Sequence, residues 1–418
     1  MIENSLIVGA AAWIAMALAC WVFLRKVTYN LLDPMVVACV SISFSASLLA
    51  VSCSAGLIAW GKFWLFSFVL CGYLVGARTV SGFFGRKGFR EAIILTLARV
   101  RLAEITGILS LAVIVTLVLT IMGVEAGAAG DARQEFARVF RPLIVLQSGL
   151  FLFSVILLLS PKLSTARASV WLLSLMILSV PFSGKSVLLP MLYWYGLRLY
   201  IDQRRVTLRS TAVPIVIVLA GIAGMALFAY RASGFSDVVR ILVTRLWLSG
   251  DIYLYAYQMN GLSTIHGSYP VSFIAYMMHP FTSLIGIRAY DKPLGAMLFT
   301  AVTGNDVLAG PNPHLPVLLD FFFPSATAIG VAVAFAIGFL VCSLRPLGIT
   351  LARSHSRYLG VGGVTAAVFC PGAGFLDTSQ VSISLIGVGA VTAVCVLLEL
   401  VFAKPHSQGD LRRLQMRL

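Results

Sequence analysis

Apolar stretches about twenty residues long recur along this chain from end to end, and no other feature restricts its fold so tightly. A helix needs roughly 20 such residues to cross the hydrocarbon of a bilayer. By that measure about eleven candidate spans are present, near residues 5–24, 34–60, 63–80, 103–124, 142–160, 168–183, 186–201, 212–230, 317–343, 358–376 and 380–402. In hydrocarbon every backbone N–H and C=O must be bonded within the protein, so repeated runs of this length imply helices. The chain is therefore expected to be an all-α, polytopic integral membrane protein. Composition points the same way: 59% of 418 residues are hydrophobic and 11% charged, with a mean hydropathy of +0.95. A soluble core could not absorb that much apolar surface.

The formal net charge of +15 raises the question of nucleic acid, but the Lys and Arg residues are scattered between apolar runs and gather on no single face. Membrane lipids account for them better. Basic loops remain on the cytoplasmic side, and Arg25, Lys26, the Arg78–Arg101 stretch, Lys162, Arg167, Arg198, Arg204, Arg205, Arg209, Arg345, Arg353, Arg357 and the tail share one side when the N-terminus is placed outside. The predicted orientation is N-terminus out, C-terminus in. Arg78–Arg101 reads as a basic amphipathic stretch on the inner surface. The first apolar run is followed by Arg25-Lys26 with no small-residue cleavage site, so it is expected to be a retained span. All seven cysteines fall in apolar segments and encode no framework of extracellular disulfides.

Two of the spans, 168–183 and 186–201, are short and separated only by Ser-Gly-Lys-Ser at 183–186, which predicts a tight helical hairpin. Gly184-Lys185-Ser186 looks like the end of a nucleotide-binding phosphate loop. Such a loop needs Gly five residues earlier, where Ser179 stands, and a soluble strand before it, so no ATP site is read here. The segment from 231 to 316 is the one sizeable extramembrane stretch. A connection of that length is expected to fold, here against the membrane face. Ser236 can cap a helix opening at Asp237, and the later part is rich in aromatics, including Trp247, Tyr253, Tyr257, Tyr269 and Tyr276. Aromatics of this kind settle at a membrane interface and also stack on sugar rings.

Absences limit the chemistry. There is no His-Glu-x-x-His, no paired Cys ligands, no Asp-x-Asp, and no glutamate between Glu135 and Glu399, so neither a catalytic metal nor a cofactor is expected. The outer face instead carries cations that the orientation rule discourages: Arg133, Arg138 and Arg141, Lys185, and Arg231, Arg240, Arg245, Arg288 and Lys292. Guanidiniums fork onto pairs of phosphate oxygens, so converging cations at a membrane surface suit a lipid-linked pyrophosphate. At the end of the long loop, T-G-N-D-V-L-A-G-P-N-P-H-L-P-V-L-L-D (303–320) sets His314 beside Asp306 and Asp320 in a Gly/Pro-stiffened approach to a span. A histidine there can take a proton from a hydroxyl nucleophile. His266 and His279 are weaker candidates, and His355 and His406 fall on the inner side.

The Ser-Gly-Lys-Ser hairpin, the large outer loop with spaced arginines, and G-P-N-P-H-L-P-V-L-L-D-F-F-F-P-S-A-T-A-I-G at 310–330 together resemble the Wzy-type polymerases of O-antigen and exopolysaccharide repeat units. The resemblance implies a GT-C-like glycosyltransferase of the bacterial inner membrane, with 231–316 as a periplasmic loop. It would move a growing glycan from one undecaprenyl pyrophosphate carrier onto another lipid-linked unit. A chain-length regulator and a flippase of the same pathway are the implied partners. Periplasmic arginines of the family map to Arg240 and Arg245, with Arg231 and Lys185 beside them. In the mechanism this implies, Arg240, Arg245 and Lys185, assisted by Arg138 and Arg141, hold the pyrophosphate; Trp247, Tyr253 and Tyr257 stack sugars; and His314, or Asp306 or Asp320, activates the acceptor. The related O-antigen ligases carry a glycine eleven residues after their histidine, where this chain has Ser325. A flippase without chemistry is the reading from another class, and pseudo-symmetric halves are its expected mark.

Overall fold

The computed structural model describes residues 2–125, 136, 139–183, 189–204, 250–265, 271–288, 290–307, 311–324 and 326–402. The described residues contain helices and no strand. Six helices are long and apolar enough to cross a membrane, at Ser5–Leu24, Pro34–Ser54, Trp60–Gly82, Leu102–Gly123, Thr327–Ala352 and Thr378–Val401. Apolar side chains such as Ile7, Ile177, Leu340 and Val401 point outward, which suits a surface solvated by lipid. The span expected near 212–230, the turn at 184–188 and the helix expected after Ser236 lie outside the described residues.

In chain order the helices are α1 (Ile2–Leu24), α2 (Pro34–Ser54), α3 (Trp60–Thr79), α4 (Arg86–Arg99), α5 (Leu102–Glu125), α6 (Arg141–Leu157), α7 (Thr165–Ser183) and α8 (Leu189–Ile201). After the long gap come α9 (Asp251–Tyr253), α10 (Gly261–Ile265), α11 (Phe273–Thr282), α12 (Leu294–Thr303), α13 (Leu315–Phe322), α14 (Thr327–Ala352), α15 (Arg357–Ala373) and α16 (Thr378–Phe402). The 317–343 run, read from sequence as one span, is two helices: α13 ends at Phe322 and α14 starts at Thr327. Pro324 explains the break. It lacks an N–H and forces the preceding residue out of the helical region, and Phe323 duly sits at φ −134°, ψ 56°.

Close helix crossings fix the bundle. A Cβ placed on Gly76 of α3 would lie 2.1 Å from the Phe335 carbonyl oxygen, and one on Gly338 of α14 would lie 2.2 Å from that of Tyr73. Small residues at such crossings let two backbones pack without a hydrophobic driving force, which bilayer hydrocarbon does not supply. Gly149 of α6 and Gly387 of α16 make a second crossing of the same kind.

The two ends of the bundle differ in charge. At the end holding the C-termini of α1, α4, α6, α8 and α14, cations bond carbonyls near those termini: Arg86 to Arg25, Lys162 to Ala98 (2.9 Å), Arg198 to Leu159 (3.3 Å), Arg90 to Ile201 (2.8 Å) and Arg99 to Ala352 (3.3 Å). Terminal carbonyls lack intrahelical partners and carry the negative end of the helix dipole, so cations are stabilising there. Arg345 lies near this end with no exposure, 2.6 Å from the equally buried Asp33, and also donates to the Val27 carbonyl. Asp33 in turn caps α2 by accepting from the Met35 amide at 2.9 Å.

Candidate functional site

At the opposite end the electrostatics run against the helix dipole. Lys62 stands in the first turn of α3 and Arg141 is the first residue of α6, where the dipole disfavours a cation. Each has acquired a specific partner. Lys62 Nζ lies 2.7 Å from Asp320 Oδ2, and Asp320 is 8% exposed against 39% for Lys62. The same ammonium sits 4.9 Å from the centre of the Tyr257 ring.

Tyr257 belongs to a π-helical turn, Leu254–Gln258, that continues α9. Such one-turn widenings occur often at functional sites because they re-aim side chains without ending the helix. Tyr257 lies 6.1 Å from Tyr253, whose ring meets His314 edge-on at 5.5 Å. Tyr253 is wedged in turn against Phe66 of α3, at 5.6 Å. His314 occupies the position before α13, anchored because the next amide, Leu315 N–H, donates to the Phe375 carbonyl at 3.0 Å. Three elements distant in sequence thus meet as Lys62, Tyr253, Tyr257, His314 and Asp320.

Burial holds the His314 imidazole neutral, with its pKa lowered to about 4. Burial, then the negative charge of Asp320, raises the Tyr257 phenol. The Tyr253 hydroxyl and His314 Nδ1 are buried without a hydrogen-bond partner among the described residues. Buried polar atoms are rarely left so, and here two belong to rings in contact. Beside them opens a cavity of about 440 Å³ whose wall includes Lys62, Tyr257, Gln258, Asn260 and Ser263. Its size falls within the ~300–1,000 Å³ typical of small-ligand sites, and its lining offers donors and acceptors in the mixture a polyol requires.

A second cluster adjoins on α11, whose Phe273 and Tyr276 pack on Phe322 of α13, both at 5.6 Å. Arg141 Nη1 lies 3.2 Å from His279 Nε2, and the His279 ring stacks on Tyr290 at 3.7 Å. Burial, then the charges of Arg141 and Arg288, lowers His279 to about 4, so it is neutral and accepts from the guanidinium.

Of the residues singled out from sequence, His314, Asp320, Tyr253 and Tyr257 come together, and Arg141 joins the neighbouring cluster. Asp306 pairs with Lys292 and stays largely exposed, outside the Lys62 group. Arg138, Lys185, Arg231, Arg240, Arg245 and Trp247 lie outside the described residues. Lys62 was not singled out from sequence; its position against the dipole of α3 was the signal that marked it. Compared with known proteins, the chain matches no family model, no curated protein and no solved structure, so the site is read from its own geometry.

Proposed function

We propose that the protein is a membrane glycosyltransferase of GT-C-like architecture, with about eleven spans, that joins undecaprenyl-pyrophosphate-linked oligosaccharide units at the outer face of the bacterial inner membrane. The observation that carries this reading is the Lys62–Asp320 pair beside a cavity whose mixed lining includes Tyr257, Gln258, Asn260 and Ser263. A carboxylate held at the edge of a cavity by an ion pair is placed to accept a proton from a sugar hydroxyl.

In this mechanism the acceptor sugar occupies the cavity against Tyr257, Gln258, Asn260 and Ser263. Asp320 takes the proton as the acceptor oxygen attacks the anomeric carbon of the donor. The bond from that carbon to the pyrophosphate oxygen breaks, and its electron pair leaves with the lipid pyrophosphate. Arg141 and Arg288 are proposed to meet the charge developing on that leaving group, with Arg240, Arg245, Arg231, Arg138 and Lys185 completing the set. Neutral His314 orients Tyr253 and, through it, the sugar-facing Tyr257. No metal enters the scheme.

The test is direct. Purified protein in liposomes, supplied with lipid-linked repeat units, should build a ladder of lengthened glycans, and Asp320→Asn should slow its growth by about 10²- to 10⁴-fold while substrate still binds. Transport of the units across the bilayer without lengthening would instead favour a flippase. Transfer only to a lipid A core acceptor would favour a ligase.

A further inference from the structure

At the opposite, cation-rich end, a cavity of about 510 Å³ opens between the end of α1, α4 and the end of α8. Trp21 and Leu31 form one flank, and the remaining wall includes Arg86, Arg90, Tyr200 and Arg204. The guanidiniums are built in. Arg86 Nε donates to the Thr28 carbonyl at 2.9 Å, and Arg90 Nε donates to that of Ile201 at 2.8 Å. In the amide orientation that satisfies both groups, the Gln203 side-chain oxygen accepts from Arg90 at 2.7 Å. Gln203 adopts a left-handed backbone, φ 56°, which a glutamine takes up at some cost.

No carboxylate pairs with these three arginines among the described residues. Of the nearby acids, Asp202 pairs with Arg198 and Asp33 with Arg345, while the exposed Glu91 of α4 forms no ion pair with the three arginines. Two of these guanidiniums are held by neutral oxygens and the third joins them at the cavity wall, and three like charges repel one another unless an anion joins them. The apolar flank says what kind. Trp21 is 40% and Leu31 52% exposed, facing outward from α1 and the turn that follows it, where acyl chains would lie.

We propose that this cavity binds the phosphate of an anionic phospholipid, with Arg86, Arg90 and Arg204 around the phosphate and the acyl chains over Trp21 and Leu31. The site does not depend on the glycosyltransferase reading. The Arg204 side chain makes no hydrogen bond or ion pair among the described residues, so it is the clean position to alter.

The experiment titrates full-length detergent-purified protein with phosphatidylglycerol, phosphatidylcholine or inorganic pyrophosphate and reads bound species by native mass spectrometry. Phosphatidylglycerol should be retained in preference to phosphatidylcholine. Arg204→Gln should weaken it roughly fivefold and Arg90→Gln with Arg204→Gln by a further similar factor, at about the contribution of one basic residue each. Lys87→Gln, an exposed neighbour on α4 outside the cavity, should leave retention unchanged. Equal binding of pyrophosphate, lost in the same variants, would overturn the lipid assignment in favour of a soluble phosphate ligand. Equal losses from Lys87→Gln and Arg204→Gln, or none from either, would overturn the site itself.

Discussion

The two ends of this helical bundle employ their cations in opposite ways. At the end where α1, α4, α6, α8 and α14 terminate, cations bond helix-end carbonyls, and Arg345 is sealed against Asp33 with no exposure on either side. There charge and dipole agree, and the cations hold the fold. At the other end Lys62 and Arg141 stand at helix N-termini, where charge and dipole conflict. A position that costs stability and adjoins a cavity is where function is expected to have placed a charge. The difference separates cations that serve folding from cations that serve a ligand, and mutation can test it at each end.

The largest effect is expected at Arg345. Arg345→Ala leaves Asp33 buried without its partner and should lower stability by about 3–5 kcal/mol, seen as a lost or sharply lowered melting transition in detergent. A second change that removes the Asp33 charge while keeping its capping oxygen, Asp33→Asn, should recover part of the loss. If Arg345→Ala melts like the wild type, the distinction between the ends fails.

Asp320→Asn should behave in the reverse manner. Glycan extension should fall about 10²- to 10⁴-fold, the usual worth of a general base, while the melting temperature stays close to wild type. A variant that is inactive only because it is unfolded would move the Lys62–Asp320 pair into the structural class.

Next in size is a response to acid. The folded pKa of His314, about 4, lies below the value near 6.5 expected of an unfolded chain, so the unfolded state binds the proton first. Stability from this group is fully present above about pH 6.5, declines as the pH falls, and levels off near pH 4. The total is about 3 kcal/mol at most, and His314→Gln should flatten that part of a stability profile measured by thermal melts. A profile that His314→Gln leaves unaltered would show that the imidazole is not buried neutral.

The smallest change is expected from Arg141→Gln. Removing a cation from a helix N-terminus relieves about 0.3–1 kcal/mol and costs a hydrogen bond of similar worth, so the melting temperature should hardly move. The KM for the proposed pyrophosphate-linked donor should rise nonetheless. A rise in KM without a fall in stability is what separates the two ends most sharply.

How much of this was legible in the sequence follows from the range of the interactions. Runs of about twenty apolar residues are local, and hydrocarbon permits only helices, so the membrane-embedded, all-helical class could be read from one stretch at a time. Pro324 was visible too, but its power to split a long apolar run into α13 and α14 went unread, because hydropathy does not register a missing N–H. His314, Asp320, Tyr253 and Tyr257 were recognisable by residue type and by their place near one loop.

What joined them was not recognisable. Lys62 and Asp320 are 258 positions apart, and Asp33 and Arg345 are 312 apart. The backbone crossing at Gly72, Gly76 and Gly338 brings α3 alongside α14, and α13 with it, closely enough for Lys62 and Asp320 to meet. Side-chain chemistry and helical class belong to each segment alone, whereas an ion pair depends on an ångström-scale distance that packing sets.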